Sequence, residues 1–398
     1  MQNILNKLPK SVLNVLKILE NNGYQAYIVG GAVRDALLSR KIDDFDICTN
    51  ALPIDIRKVF LEQKYKVIET GIKHGTVSVV NNNTAYEITT FRADGNYLDN
   101  RHPDKVTFNV SLEEDLKRRD FTINALACDA YGNIIDYHDG IKDLRNKIIR
   151  TVGNPNDRFK EDALRILRAL RFKAVLGFTI EDKTKNAMFN KAELIKNVSI
   201  ERINQEVKQI LDCSYKNYKE YEKILRIAYD YNLHLKKKDY NIIGRLPDYI
   251  MKIAYLYSFY ENDELISRLN SLKLKNESKN LIIEFIANSK EYEDNYFDNY
   301  RIKKYLSKYG LVEGFLQIQY LCYLNNIDIL YMKERIDNLS DQVVSLKNLD
   351  INGEDLISLG YSGKEIGTIL DNLLDLVLRD KVKNENKALI KAIKRIKL

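Results

Sequence analysis

Two carboxylates one residue apart, Asp44 and Asp46, are the clearest candidates for chemistry in this sequence of 398 residues. On a β-strand, residues i and i+2 share a face, so both side chains would point the same way while Phe45 and Ile47 face the core. Two like charges held together are costly unless a cation lies between them, and oxygen ligands favour Mg²⁺. We therefore predict that Asp44 and Asp46 are catalytic and bind Mg²⁺, although surface strands also carry such pairs.

The segment just before this pair could bind phosphate. A short apolar run, AYIVGG, ends in Gly30 and Gly31 and is followed by a helical pattern that contains Arg34. Glycines at a strand–helix junction let backbone N–H groups approach phosphate, and an arginine can add a bidentate contact. The alternative is a tight turn in which Arg34 pairs with Asp35 on the surface. Together with the two aspartates, the segment favours a nucleotide–metal site, which supports phosphoryl or nucleotidyl transfer by two metal ions.

The elements that must position these residues change type along the chain. The first third alternates helical spacing with β-rich runs such as FDICT, TVSVV and AYEITTF. From Asn156 onward the strand signals fade, and EDALRILRALRF and SIERINQE have helical spacing, the latter after Ser199 as an N-cap. We therefore predict an α+β protein, in which a mixed α/β domain ending near residues 151–155 is followed by helices.

Composition excludes several classes of protein. With 45% hydrophobic and 30% charged residues, the chain is typical of a globular protein with two to four domains. No apolar run approaches the ~18 residues that cross a bilayer, and the N-terminus lacks the features of a signal peptide. We predict a cytoplasmic protein without membrane association. The four cysteines form no C-x-x-C pair and are expected to be buried free thiols, and the four histidines show no metal-site spacing.

Positive charge is concentrated at the C-terminus. The formal net charge is +7, and the last twenty residues, from Arg379, hold 8 basic and 2 acidic residues. A basic terminal helix suits a polyanionic partner, and a solvated helix face is the simple alternative. No feature of the sequence indicates an obligate protein partner.

Several motifs in a fixed order resemble one protein family. GGAVRD…DDFD (30–46) resembles the head-domain signature of the class II tRNA nucleotidyltransferases (CCA-adding enzymes) and bacterial poly(A) polymerases. NGEDLISLGYSGKEIGTILDNLL (352–374) resembles the family's tail segment. The other matching stretches are FRADGNYLDNRHPDKVTF (91–108), RRDFTINALA (118–127), DGIKDLRNKIIR (139–150), EDALRILRALRF (161–172) and SIERINQE (199–206).

The resemblance implies a domain order and a function. It implies an N-terminal nucleotidyltransferase α/β head (1–153), then an all-α neck (154–213), body (214–290) and tail (291–398). The function would be template-independent building or repair of the 3′-terminal CCA of tRNA, with CTP, ATP and the tRNA 3′ end as partners and Mg²⁺ as cofactor. By resemblance, Gly31 and Arg34 contact the triphosphate, and Arg119 and Asp120 hold the nucleotide, with Asp120 placed for the ribose hydroxyls.

Four further residues, Asp162, Arg165, Arg168 and Arg171, follow one side of a predicted helix at a spacing of three. The family uses the first two to read the incoming base. A carboxylate accepts from the amino group of cytosine or adenine, and a guanidinium donates to the adjacent ring nitrogen, whereas uracil and guanine present the opposite pattern. Each unsatisfied group in a dry site costs about 1–3 kcal/mol. Arg168 and Arg171 would support the phosphates or orient Asp162; the alternative is a basic helix resting on RNA or on acidic side chains.

Other residues have weaker signals. Glu87 could be a third active-site carboxylate, although a single acidic residue on a strand is more often structural. Arg202 and Glu206 are expected to brace the neck helices. A loop resembles the family's flexible element, which is linked to the final A addition and argues against an enzyme that adds only CC; its residues are Asp94, Asp99 and Arg101.

Three alternative functions stay open. An enzyme that adds only A or only CC shares nearly every motif. A poly(A) polymerase is disfavoured because that branch carries a basic stretch where this sequence reads KVTFNV. A non-catalytic tRNA-binding protein is disfavoured by the presence of the acidic pair and of Asp162 and Arg165.

Overall fold

The computed structural model of the chain describes residues 4–42, 44–69, 71–72, 75–81, 84–95, 105–213, 218–230, 237–291 and 297–394. The chain forms two compact units, residues 1–232 and 233–398. All the described strands lie in the first unit, and the described part of the second unit is helical. The predicted α+β class is therefore confirmed. The predicted boundaries of head, neck, body and tail stay a prediction.

A seven-stranded mixed sheet is the scaffold of the first unit. The described strands are β1 (Ala26–Val29), β2 (Asp46–Thr49), β3 (Lys66–Ile68), β4 (Thr76–Asn81), β5 (Thr84–Thr90), β6 (Arg92–Asp94), β7 (Val106–Phe108), β8 (Leu126–Cys128), β9 (Ile134–Asp136), β10 (Ile148–Ile149) and β11 (Thr179–Ile180). The sheet has the order β3-β4-β5-β2-β1-β8-β9, with β6–β7 and β10–β11 as separate pairs. Only β2 and β5 run parallel within the large sheet; its other neighbouring strands are antiparallel.

Helices cover the sheet and continue beyond it. Those of the first unit are α1 (Lys10–Asn21), α2 (Gly31–Leu37), α3 (Pro53–Glu62), α4 (Leu112–Lys117), α5 (Gly140–Asn146), α6 (Pro155–Glu161), α7 (Leu164–Leu176), α8 (Asp182–Lys191), α9 (Ile200–Asp212) and α10 (Tyr218–Tyr229). Short 3₁₀ turns lie at Ile4–Lys7, Thr122–Asn124 and Ala192–Asn197. Ser199 occupies the N-cap of α9 as predicted, but its side chain makes no capping hydrogen bond.

The core of the first unit fixes the start of β2. Val29 of β1 and Cys48 of β2 belong to a buried cluster that also contains Leu112 and Leu116 of α4. Burial of these apolar side chains is the main force that holds the strand in the middle of the sheet. The first residue of β2, Asp46, is left exposed at the end of the strand. The core thus presents a carboxylate at a rigid position.

The second unit contains two apolar cores in its described part. One cluster includes Leu306, Ile318 and Met332, and the other includes Leu356 and Leu373. Its helices are α11 (Lys237–Arg245), α12 (Tyr249–Tyr257), α13 (Asn262–Ser271), α14 (Asn276–Glu291), α15 (Asn299–Asn325), α16 (Ile329–Leu339), α17 (Gly353–Ser358), α18 (Lys364–Leu378) and α19 (Asn386–Ile393), with 3₁₀ turns at Ser340–Gln342 and Leu346–Asn348. The long helix α15 is kinked at Gly310, whose φ of +78° lies in the region that favours glycine.

Two further expectations from composition can be compared with the structure. Among the helices that the structure describes, none combines the length and the apolar character needed to cross a bilayer. Cys48, Cys128 and Cys322 are buried free thiols, as predicted, and Cys213 is half-buried.

Candidate active site

Eight of the ten predicted site residues line one cleft of about 680 Å³ in the first unit. Its walls come from the start of α2, the segment before β2, residues 119–124 and the second half of α7. The eight are Gly31, Arg34, Asp44, Asp46, Arg119, Asp120, Arg168 and Arg171. Asp162 and Arg165 are not part of the lining. The cleft therefore brings carboxylates and arginines from distant parts of the sequence together.

The carboxylate side of the cleft is built where β2 begins. Asp46 is the first residue of the strand, but Asp44 precedes it, so the expectation that both lie on one strand is wrong for Asp44. Desolvation in the cleft raises the pKa of Asp46; the charge of Arg119 opposes this rise, and that of Asp44 adds to it. In register, Asp46 lies beside the exposed Glu87 of the parallel strand β5.

The carboxylates on this side of the cleft can be compared with the ligands that a divalent cation prefers. Asp44 and Asp46 are both exposed. Across the described ranges, no group of three or more His, Cys, Asp or Glu side chains is arranged to hold a metal ion, so these two carboxylates stand as a pair. Mg²⁺ is commonly bound by one or two carboxylates and completes its shell with water and substrate phosphates. The residues present therefore fit Mg²⁺ that is shared with a bound nucleotide.

The arginine side begins at the junction of β1 and α2. Gly30 has a φ of +71°, which favours glycine, and Gly31 is the first residue of α2. Arg34 donates from Nε and Nη2 to the two carboxylate oxygens of Asp35 at 3.0 and 2.7 Å. Its Nη1 donates to Oδ1 of Asn124 at 2.7 Å. The Arg34–Asp35 pair of the alternative interpretation is therefore present, but it is not a surface pair, because Arg34 is buried; Arg34 also lines the cleft.

The buried carboxylate of Asp120 already accepts hydrogen bonds from neighbouring groups of the protein. Its oxygens accept hydrogen bonds from Nε of Arg168 at 2.7 Å, Nδ2 of Asn124 at 3.1 Å and the backbone N–H of Phe121 at 2.8 Å. Burial alone would raise the pKa of Asp120, but Arg168 and Asn124 outweigh it and lower the pKa to about 2. Its predicted role beside the ribose hydroxyls stays a prediction, because the geometry gives it a structural role toward Arg168.

Arg168 and Arg171 of α7 contact acidic side chains. Glu206 of α9 forms ion pairs with Nε of Arg171 at 2.7 Å and Nη1 of Arg168 at 3.8 Å. Arg171 also donates from Nη1 to Gln209 at 3.3 Å. Resting on acidic side chains was the alternative given for this helix, and both arginines do so while lining the cleft. Glu206 has the bracing contacts predicted for it.

Asp162 lies between two helices rather than on one. Helix α6 ends at Glu161 and α7 begins at Leu164, so the single helix predicted through this segment is wrong. Asp162 has extended backbone angles, and its Oδ1 accepts a hydrogen bond from the N–H of Leu164 at 3.1 Å. Arg202 of α9 donates to both carboxylate oxygens, at 2.7 and 3.3 Å. The residue that orients Asp162 is therefore Arg202 and not Arg168.

Arg165, the other predicted base-reading residue, is held on the first turns of α7. Its Nη1 donates to Glu161 at 2.6 Å and to the carbonyl of Arg158 at 3.1 Å, and its Nη2 donates to the carbonyl of Arg118 at 3.1 Å. The side chain is therefore fixed in position, and its predicted contact with a base stays a prediction.

Sequence reasoning missed Asn124. This residue joins Arg34 to Asp120 by accepting from the first and donating to the second. Its presence four residues after Asp120, inside the motif RRDFTINALA, was the available signal. Of the predicted flexible element, Asp94 forms ion pairs with Arg92 and Arg118 at 3.4 and 3.7 Å, and Asp99 and Arg101 lie outside the described residues.

Three sequence models of known families match successive parts of the chain. The poly(A) polymerase head domain matches residues 26–150, which contain both aspartates of the cleft. The probable RNA- and SrmB-binding site of polymerase A matches residues 177–226, and a putative domain 2 of tRNA nucleotidyltransferase matches residues 249–393. The fold and the cleft thus fall in the class of nucleotidyltransferases with a poly(A) polymerase head.

Individual relatives narrow the class. A CCA-adding enzyme of Ligilactobacillus salivarius is 36% identical over 417 aligned residues, which cover 97% of this chain and 96% of the relative. One of Lactobacillus helveticus is 51% identical over 205 residues, about half of each chain. The crystal structure of the Bacillus stearothermophilus CCA-adding enzyme in complex with CTP has a TM-score of 0.80, 31% identity and coverage of 97% and 96%. The chain therefore belongs to the family of CCA-adding enzymes.

Proposed function

We propose that this protein adds and repairs the 3′-terminal CCA of tRNA in the cytoplasm, using CTP and ATP without a nucleic acid template. The observation that carries this proposal is the cleft in which Asp44 and Asp46 face Arg34, Arg168 and Arg171. Such a cleft is suited to a nucleoside triphosphate, since it offers carboxylates for the accompanying cation and guanidiniums for phosphate oxygens. The close relatives carry the same activity in their names.

The chemical step is nucleotidyl transfer. The 3′-hydroxyl of the RNA attacks the α-phosphorus of the nucleotide, a new phosphodiester bond forms, the bond to the β-phosphate breaks, and pyrophosphate leaves with a proton released from the hydroxyl. Asp44 and Asp46 would hold Mg²⁺, which when bound lowers the pKa of the attacking hydroxyl and offsets charge on the phosphates. Arg34, Arg168 and Arg171 orient the triphosphate so that the leaving group is in line with the attack.

Asp162 and Arg165 are the proposed reading pair for the base. Oδ1 of Asp162 accepts from Arg202 and from the N–H of Leu164, whereas Oδ2 accepts from Arg202 alone and has a second lone pair that can accept from a base amino group. Arg165 is anchored through Nη1 and Nη2, and a guanidinium has five N–H donors, so donors are left for a ring nitrogen. Fixing both side chains before binding is what allows unmatched bases to be rejected.

The second unit and the C-terminal helix are proposed to bind tRNA. The putative domain 2 of tRNA nucleotidyltransferase matches residues 249–393, and the last twenty residues have a surplus of six positive charges, 8 basic against 2 acidic. Such a charge surplus favours contact with the phosphate backbone.

The test is incorporation of labelled nucleotides. The purified protein and Mg²⁺ are incubated with tRNA transcripts ending at the discriminator base, at C and at CC, with CTP, ATP, UTP or GTP singly and with CTP plus ATP. We expect CCA to be completed and addition then to stop, with UTP and GTP refused. Addition of A alone or of C alone would reassign the protein to a partial-addition enzyme, and long A tails on generic RNA would identify a poly(A) polymerase. No incorporation would favour a non-catalytic tRNA-binding protein.

A further inference from the structure

One aromatic ring lies close to three of the arginines that line the cleft, Arg34, Arg168 and Arg171. Phe172 of α7 has a fractional exposure of 4%. The guanidinium carbons of Arg171, Arg34 and Arg168 lie 4.5, 5.0 and 5.5 Å from the centroid of its ring. The edge of the ring is itself fixed by Phe121, whose centroid lies 5.7 Å away at an interplanar angle of 84°. One ring thus contacts guanidiniums from α2 and from two successive turns of α7.

The ring reduces the repulsion between the positive charges of the three guanidiniums. Three guanidiniums held this close repel one another, and desolvation together with Arg168 and Arg34 lowers the pKa of Arg171 against the opposing effect of Glu206. The face of an aromatic ring carries negative charge density and attracts cations within about 6 Å, most strongly where water is excluded. The ring therefore offsets part of the repulsion without occupying the N–H donors that phosphate oxygens would need.

Hydrogen bonds and ion pairs also connect the three arginines through polar side chains. Arg34 is linked through Asn124 to Asp120, Asp120 to Arg168, Arg168 to Glu206, and Glu206 to Arg171. Each guanidinium thus has a carboxylate or amide partner at its rim, and the centroid of the Phe172 ring lies within 6 Å of all three guanidinium carbons.

We propose that Phe172 is a positioning residue that holds Arg34, Arg168 and Arg171 as one triphosphate-binding set, and that it does so through the charge density of its ring and not only through its volume. This inference rests on the proposed function, because it assigns the three arginines to the phosphates of CTP and ATP. It predicts that the affinity for phosphate groups depends on the charge density of the ring, whereas a role in packing alone would make it depend only on the volume of the side chain.

The test replaces Phe172 in the full-length protein with 4-fluoro-, 3,5-difluoro- and 3,4,5-trifluorophenylalanine. Fluorine withdraws charge from the ring face with little change in volume. We expect the Kd for CTP, and for inorganic tripolyphosphate, to rise with each fluorine and to reach about tenfold for the trifluoro residue. Binding of cytidine, which lacks phosphates, is expected to stay constant. In steady state, the KM for CTP should rise while the KM for tRNA does not.

Phe60 provides a matched control. It is also buried, and its ring contacts Tyr65, which follows the C-terminal end of α3. The same fluorinated series at Phe60 should leave the Kd for CTP unchanged. Phe172→Leu, which keeps an apolar side chain but removes the ring, should weaken CTP binding at least as much as the trifluoro residue.

Two outcomes separate this inference from the proposed function. If wild-type protein binds CTP and completes CCA but the Phe172 series is flat, the ring has only a packing role and the inference is overturned. If the Phe172 series shows the fluorine dependence for CTP binding but wild-type protein adds no nucleotide to tRNA, the inference stands and the proposed function fails.

Discussion

At the scale of single residues, the aspartates predicted to form the site differ in whether another side chain of the protein already binds them. Asp120 and Asp162 are each held by an arginine, through contacts of 2.7 Å to Arg168 and Arg202. Asp44 and Asp46 are exposed, and the pKa of Asp46 is raised by desolvation and by its neighbour. The exposed pair is therefore suited to bind a cation, whereas Asp120 and Asp162 are engaged in ion pairs within the protein.

The first prediction concerns the exposed pair. Asp44→Asn and Asp46→Asn should each lower kcat for CMP addition by about 10²–10³-fold, because an amide cannot supply the charge that a divalent cation requires. Rapid-quench single-turnover assays measure the loss, and chelation of Mg²⁺ from wild-type protein should reproduce it. The matched control is Glu62→Gln, an exposed charge change at the end of α3. Near-normal single-turnover rates in both aspartate variants would contradict the assignment.

The second prediction is a pH dependence of stability. The pKa of Asp120 is lowered from 3.8 to about 2, because Arg168 and Asn124 outweigh burial. Between these values the unfolded chain binds more protons than the folded chain, so the stabilisation is present above about pH 4 and is lost as the pH falls toward 2. It amounts to about 2 kcal/mol. Urea unfolding between pH 6 and 3 should show a steeper loss of free energy of unfolding for wild type than for Asp120→Asn, and parallel profiles would disprove the contribution.

At the scale of elements, α9 supports Asp162 and the two cleft arginines of α7. Arg202 and Glu206 lie one turn apart on this helix, and they contact Asp162 and the two arginines of α7. Apolar residues of the same helix, including Ile203 and Val207, are buried and fix its face toward the rest of the first unit. Residues i and i+4 share a helix face, so one element aligns both the proposed base-reading residue and the proposed phosphate ligands.

The third prediction tests this alignment. Arg202→Met keeps an extended side chain but removes the two hydrogen bonds from Arg202 to Asp162, so that only the N–H of Leu164 still holds the carboxylate and it should adopt several orientations. We expect the ratio of kcat/KM for CTP to that for UTP to fall about tenfold, about 1.4 kcal/mol, with a smaller effect on CTP itself. Lys208→Met on the same helix removes an exposed positive charge and is the control. An unchanged ratio in Arg202→Met would show that Asp162 is oriented by its backbone alone.

Sequence reasoning found the reactive side chains more readily than their partners. The identities and spacing of Asp44, Asp46 and Arg34 carry a local signal, because metal and phosphate binding need particular groups close together. The break at Asp162 could not be predicted, since helical spacing continues on both sides of it and the partner of its carboxylate, Arg202, lies 40 residues away. The same limit applies to Glu206, whose partners on α7 are set by helix packing.

At the scale of the whole molecule, every residue that lines the cleft belongs to the first unit, residues 1–232. The second unit, residues 233–398, has a cavity of about 570 Å³ between α15, α18 and the segment 345–347, lined by three lysines, two serines, two aspartates and three leucines. The lysines are Lys304, Lys308 and Lys347.

The fourth prediction uses these lysines. Changing all three to glutamine should weaken tRNA binding and lower the slope of log K against log salt concentration by about 2, because fewer counterions are released. The Kd for CTP should stay constant, which separates loss of RNA contacts from damage to the cleft. Fluorescence titration with tRNA between 50 and 200 mM salt measures the slope. An unchanged slope would place the RNA contacts on another face of the helical unit.

The contact of three guanidiniums with one ring also has a consequence for how these positions can change in evolution. Arg34, Arg168 and Arg171 share Phe172 and a continuous series of polar partners, so the loss of one alters the setting of the other two. Effects of substitutions at such contacting positions are not additive, and the second loss should do less harm than the first. These positions are therefore expected to be epistatic, so that natural variants keep the set intact or replace several members together, and a lineage that changed only one would be selected to restore it.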